Sequence, residues 1–161
     1  MKYKRCYRGH GGVPTVSTFE EILERDGKLI YKTRGVSMNP MLYQNRDLIV
    51  IRPPEGRLAV HDVALYRRGK SYVLHRVIAV NDDGTYLIRG DNTYADEIVP
   101  EKAVIGVLTE FVRNGKQYKV TDPEYQRYVD LWCAAYPLRR VYAVTKWRAK
   151  SAVKKILRIN K

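Results

Sequence analysis

Thr33-Arg34-Gly35-Val36-Ser37-Met38-Asn39-Pro40-Met41-Leu42 is a polar, turn-rich stretch set into an otherwise strand-like sequence, with one serine between a glycine and a proline. Gly35 can take backbone angles that other residues resist, and it leaves room for a second chain to approach closely. Pro40 fixes its own backbone and biases Asn39 toward an extended conformation. Ser37 is therefore expected on a constrained turn that presents its hydroxyl. A loop serine that only caps a turn would read the same way. The stretch acquires chemical meaning if a partner for the serine lies further along the chain.

Working outward, the sequence on the C-terminal side reads as short β segments. Asp47-Leu48-Ile49-Val50-Ile51 is a compact apolar run stopped by Pro53-Pro54, and Asp62-Val63-Ala64-Leu65-Tyr66 is another, closed by Arg68-Gly69-Lys70. The run from Tyr72 to Val80 enters the turn Asn81-Asp82-Asp83-Gly84, and Tyr86-Leu87-Ile88-Arg89 returns from it, which predicts a hairpin. The run from Val104 to Val112 and Tyr118-Lys119-Val120, around Asn114-Gly115, predict a second one. On the N-terminal side, Thr18 with Glu21 forms a capping-box pattern ahead of Phe19, Ile22 and Leu23 at helical spacing. Asp26-Gly27 ends that helix, and Leu29-Ile30-Tyr31 begins extended structure. The expected fold is mainly β, a small antiparallel barrel-like or coiled sheet with a short N-terminal helix and C-terminal helices.

Charge separates the ends of the chain from its middle. The 161 residues carry 30 Lys+Arg and 17 Asp+Glu, a net charge of +13. After Pro137 there are nine basic residues and no acid, so residues 1–137 carry only +4. Asp122-Pro123 opens a helical pattern through Tyr125, Tyr128, Val129, Leu131 and Trp132, and Pro137 divides it from a second helix. In that second helix Leu138, Val141, Tyr142, Ala149, Ala152, Val153, Ile156 and Ile159 gather on one side, with most basic residues on the other and Trp147 among them. Two readings stay open: an apolar stripe packed on the domain with a solvated basic face, or a basic amphipathic helix lying on an anionic membrane surface. Three segments follow: a flexible basic lead-in at 1–16, a β domain at 17–121, and a helical, basic extension at 122–161.

Cys6 and Cys133 form neither a disulfide framework nor a metal-ligand spacing, so a reduced, cytoplasmic setting is expected, with peripheral attachment to the inner membrane face as the variant. The basic N-terminus has no apolar stretch behind it, and no run approaches the roughly 18 apolar residues needed to cross a bilayer.

A serine nucleophile needs an adjacent base. His10 lies in the Gly-rich lead-in and His61 at a turn, whereas His75 lies inside a strand-like run and is followed at once by Arg76. A third group would orient the imidazole. Asp91, in Arg89-Gly90-Asp91-Asn92, is a short acid directly after a glycine turn, and Asp96 and Glu97 follow closely. Read singly, His75 fits a structural strand histidine and Asp91 an ordinary Asx turn.

Together these segments resemble the superfamily that joins type I signal peptidases to the self-cleaving SOS-repressor peptidases. Gly35-Val36-Ser37-Met38-Asn39-Pro40-Met41-Leu42 is similar to its nucleophile box, G-x-S-M-x-P-x-L, and Asp47-Leu48-Ile49-Val50 to the strand that follows. Asp62-Val63-Ala64-Leu65-Tyr66 resembles the next strand, His75-Arg76-Val77-Ile78 the base-bearing box, Gly90-Asp91-Asn92 the acidic box, and Gly106-Val107 the final strand. The resemblance runs from Gly35 to Leu108 in the family's order. It implies a serine endopeptidase that cleaves a leader or precursor peptide, with Ser37 as nucleophile and His75 at the position where many members carry lysine. Asp91 would orient His75, with Asp96 and Glu97 as alternatives, and Gly35, Met38 and Pro40 would meet the substrate. No metal or cofactor is implied. Some members place a hydroxyl two residues before the nucleophile; Gly35 stands there, so the oxyanion would be held by the Ser37 N–H with backbone donors alone or with another group. The family's Gly-Asp pairs are Arg46-Asp47 and His61-Asp62 here.

A housekeeping signal peptidase is not expected without a membrane anchor. Nor is a repressor, since residues 1–33 hold one short helix and no helix-turn-helix. The rivals are a non-catalytic peptide-binding module on the same fold and a nucleic-acid-binding regulator that uses the basic tail.

Overall fold

The computed structural model describes residues 17–146, so the readings for 1–16, including His10, and for 147–161 lie outside the described residues. The chain divides into two compact units between Asp122 and Pro123.

The first unit opens with α1 (Phe19–Asp26), and its start is the capping box expected from sequence. The Thr18 hydroxyl accepts from the Glu21 N–H at 3.2 Å, and Glu21 Oε2 accepts from the Thr18 N–H at 3.0 Å. Gly27 closes the helix in the left-handed conformation, its N–H donating to the Leu23 carbonyl.

Eight strands follow: β1 (Leu29–Lys32), β2 (Leu48–Arg52), β3 (Val63–Arg68), β4 (Ser71–Asn81), β5 (Thr85–Arg89), β6 (Glu97–Pro100), β7 (Val104–Arg113) and β8 (Lys116–Lys119). All ladders are antiparallel, in the order β1-β2-β7-β3-β4-β5-β6, with β8 on β7. The sheet is therefore open, with β1 and β6 at its ends. Both predicted hairpins form, β4–β5 and β7–β8.

β6 was not expected. Among the described residues its four residues pair only with β5; Ile98 faces out, Val99 faces the core, and Pro100 fits an edge position because it has no N–H to give. The core beneath β3, β4 and β5 joins Leu58, Ala64, Tyr66, Val77, Tyr86, Ile88 and Val99.

β4 is the longest strand and is shared between two neighbours. It pairs with β3 over Ser71–Arg76 and with β5 only from Arg76 onward. Among the described residues the backbone of 71–75 is therefore left as a local edge, and His75 is its last residue.

In the second unit, α2 (Pro123–Ala134) starts at the predicted proline. The break before the next helical stretch falls at Ala135 rather than at Pro137, and residues 136–146 are helical. A proline is tolerated in a first helical turn, where its missing N–H has no intrahelical acceptor to lose. The Arg139 guanidinium lies 3.8 Å from the centre of the Trp132 ring and donates to the Trp132 carbonyl at 2.9 Å. Leu138, Val141 and Tyr142 are exposed. No helix among the described residues is long and apolar enough to cross a membrane.

Candidate active site

The serine stretch folds as a compact turn between β1 and β2. Gly35 has φ 85, a conformation that favours glycine, and its N–H donates to Gln44 Oε1 at 3.2 Å. The Asn39 N–H donates to the Val36 carbonyl at 3.2 Å and the Leu42 N–H to the Met38 carbonyl at 2.9 Å; the Asn39–Pro40 peptide is cis. Met38, Met41 and Leu42 are buried, which anchors the turn while Ser37 stays partly exposed. Behind it, fully buried Asp47 accepts from the Tyr43 N–H at 2.7 Å and from Arg46 Nε at 2.6 Å.

A second turn, residues 90–92, holds the first one in place. The Asn92 N–H donates to the Ser37 carbonyl at 2.7 Å, and Asn92 Nδ2 donates to the Val36 carbonyl at 3.1 Å. Gly90 is pressed between the serine and the histidine. A Cβ there would lie 2.8 Å from the Ser37 carbonyl oxygen and 3.0 Å from both Nε2 and Cδ2 of His75. Because one of those neighbours is backbone, Gly90→Ala is expected to destabilise the protein by about 1–3 kcal/mol through overpacking. Urea denaturation reads this; a variant as stable as the parent would mean that the two turns are not in close contact.

Arg76 ties the segments together from below. Its side chain is fully buried. It donates to Asp91 through Nε–Oδ1 at 2.8 Å and Nη2–Oδ2 at 2.7 Å, to the His61 carbonyl at 3.0 Å, and to Met41 Sδ at 3.1 Å. One guanidinium thus joins the serine turn, the approach to β3, the base-bearing strand and the acidic turn.

His75 points its Nε2 edge toward Gly90 and the Ser37 turn. Its Nδ1 lies 3.3 Å from the Tyr66 hydroxyl and 3.7 Å from Glu97 Oε1. Glu97 Oε1 also accepts from Arg68 Nη1 at 2.8 Å. Burial holds the imidazole below its ordinary pKa; Glu97 and Asp91 oppose that effect, and Arg68 adds to it. Burial, then Glu97, raises the Tyr66 phenol far above its ordinary range.

Ser37 and His75 line one cleft of about 400 Å³, with no hydrogen bond between their side chains. Leu29, Leu42, Ile49, Leu65 and Val73 supply an apolar floor, and Thr93, Glu97 and Arg68 give it a polar end. Phe19 also lines it, stacked on Tyr72 at 4.4 Å and edge-on to Tyr31 at 5.0 Å.

Of the sequence-predicted residues, Ser37, His75, Gly35 and Met38 share the cleft, whereas Pro40 does not line it. The three candidate acids have different partners. Both oxygens of Asp91 are held by Arg76, Asp96 pairs with Arg89 (Nη2–Oδ2 2.9 Å), and Glu97 faces Nδ1 of His75. Sequence reasoning did not assign Tyr66, Arg76 or Asn92 to the site. Only Arg76 carried a signal, as a charge beside His75 in a run otherwise apolar enough for burial. Among the described residues no cluster of three or more His, Cys, Asp or Glu is placed to hold a metal. A scan of the sequence against protein families finds no match, and a search of curated proteins finds none.

Proposed function

We propose that this chain is a serine endopeptidase of the signal-peptidase-like type that cleaves an extended leader or precursor peptide. The observation that carries this reading is the packing at Gly90, which brings the Ser37 turn and the Nε2 edge of His75 together at the end of an apolar cleft. Ser37 Oγ attacks the scissile carbonyl while His75 Nε2 takes its proton. The imidazolium then returns the proton to the leaving amine, and water resolves the acyl-enzyme by the same route. The side chains are within one cleft, and nucleophile–base hydrogen bonds commonly tighten once substrate is seated. Among the described residues the Ser37 N–H donates to no acceptor, so it is available to the oxyanion.

The edge of β4 at residues 71–75 supports binding of the substrate as an added strand, with alternate side chains entering the apolar floor. Glu97, on the Nδ1 side of the ring, fits the orienting acid better than Asp91, whose carboxylate is engaged by buried Arg76.

The test is treatment with a fluorophosphonate, followed by intact-mass measurement, alongside digestion of a mixed peptide pool. A single adduct on the parent protein that is absent from Ser37→Ala, together with new peptide termini from the parent only, is the expected result. Peptide binding with neither adduct nor cleavage would instead favour the non-catalytic module.

A further inference from the structure

We propose that Tyr66 is a positioning residue for His75: its hydroxyl meets Nδ1 of the imidazole beside Glu97 and holds the ring as the Nδ1–H tautomer. This inference rests on the reading of His75 as the base.

The geometry begins in the ladder. Ala64 is the β3 partner of His75, so Tyr66, two residues on, is its diagonal neighbour on the same face. The rings meet edge to face at 6.2 Å, and Tyr66 is almost fully buried. The distance of 3.7 Å between His75 Nδ1 and Glu97 Oε1 is too long for a direct hydrogen bond, whereas the Tyr66 hydroxyl lies 3.3 Å from the same nitrogen. Glu97 acts on that hydroxyl as a nearby negative charge.

Proton counting sets the direction of the chain. An ionised carboxylate only accepts, and the phenol has a single proton to give. The Glu97 carboxylate, 3.7 Å from Nδ1, favours a proton over a lone pair on that nitrogen, which leaves the phenol oxygen at 3.3 Å as the acceptor for Nδ1–H. An imidazole protonated at Nδ1 carries its lone pair on Nε2, the nitrogen that faces Gly90 and the Ser37 turn. When His75 takes the serine proton, the positive charge on the ring is felt by Glu97, 3.7 Å from Nδ1, while the phenol oxygen keeps the Nδ1–H in place. Arg68 Nη1 donates to the same Glu97 oxygen at 2.8 Å, so the carboxylate has a fixed place. The groups facing the imidazole are therefore Tyr66 and Arg68 from β3, Glu97 from β6 and Asp91 from the acidic turn.

Tyr66 also belongs to the hydrophobic core with Leu58, Val77 and Ile88. A purely structural role would be served as well by phenylalanine, and that substitution separates the two roles. In 15N-histidine NMR above the His75 titration, the parent is expected to show Nδ1–H, and Tyr66→Phe to shift the ring toward Nε2–H. In peptide cleavage, Tyr66→Phe should lower kcat by about 10- to 100-fold with KM nearly unchanged, in line with loss of an oriented base. Glu97→Gln, which removes only the charge, should move the acid limb of the rate profile to lower pH because Glu97 raises the pKa of His75. A parent ring already protonated at Nε2, or a Tyr66→Phe ring and kcat both like the parent's, overturns the proposal. The NMR result does not need turnover. A tautomer shift in a protein that cleaves nothing would retain the positioning of His75 and refute the peptidase reading instead.

Discussion

Replacing His75 by alanine is expected to lower kcat/KM for a cleaved peptide by about 10³-fold or more, at least about 4 kcal/mol of transition-state stabilisation. The loss should fall on kcat rather than KM, because the imidazole meets the reacting atoms and the apolar floor binds the peptide. The sheet should survive, since the ring lies at the wall of the cleft and its ladder partner Ala64 contributes through backbone. Circular dichroism and urea denaturation check that point. The parent's pH profile follows from the environment of the ring. Burial pushes its pKa below the ordinary 6.5, so the neutral base persists into more acid solution, and the acid limb should lie below about pH 6.5. The same shift has a stability consequence of fixed sign. The unfolded chain binds the proton more readily, so the contribution of neutral, buried His75 is complete above pH 6.5 and is lost as the pH falls through the folded value. An acid limb above pH 7, or a His75→Ala variant within tenfold of the parent, would remove His75 from the role of base.

What could be read from sequence was what is local in the chain. The Thr18–Glu21 box and the turns at Asn81–Gly84 and Asn114-Gly115 are short-range devices, and the helix and both hairpins formed where those residues stand. β6 escaped because four residues carry little pattern and its partner, β5, lies across a loop. The break at Ala135 escaped because a proline can either end a helix or open one. At the site, Ser37 and His75 stood out by residue type, since few side chains can attack a carbonyl or take a proton near neutral pH. The acid did not. Asp91, Asp96 and Glu97 lie within seven residues, and which one faces the imidazole depends on the pairing of β5 with β6 and on which arginine claims which carboxylate. Such a choice is made by tertiary structure and leaves no periodic trace. The same holds for Tyr66, which by sequence is one more apolar-side residue in a strand.

The pairing of Arg76 with Asp91 carries the second large effect. Asp91→Ala is expected to destabilise the protein by about 3–5 kcal/mol, because it takes the bidentate carboxylate away from a buried guanidinium. Arg76 is fully buried, and the Asp91 side chain is only 3% exposed, so neither can turn to water without opening the structure. The converse change tests whether the pair stabilises the fold or only demands to be kept whole. Arg76→Met combined with Asp91→Leu removes both charges and should recover most of the lost stability. It would still lose the bonds to the His61 carbonyl and Met41 Sδ, which leaves the serine turn and the acidic turn joined mainly through Asn92. The doubly substituted protein should therefore fold yet hold Ser37 and His75 less tightly, with kcat falling by about 10² if the reacting groups drift by about 1 Å. Asp91→Asn separates the remaining alternative. If Asp91 oriented the imidazole directly, loss of its charge would cut kcat at unchanged stability. With the carboxylate serving Arg76, stability falls, and the kcat of the folded fraction stays within about tenfold of the parent. Denaturation midpoints and turnover measured on the same samples distinguish the two. An Asp91→Ala variant within 1 kcal/mol of the parent would mean that the guanidinium reaches water or another acid, and the pair would then no longer be the tie that joins the segments.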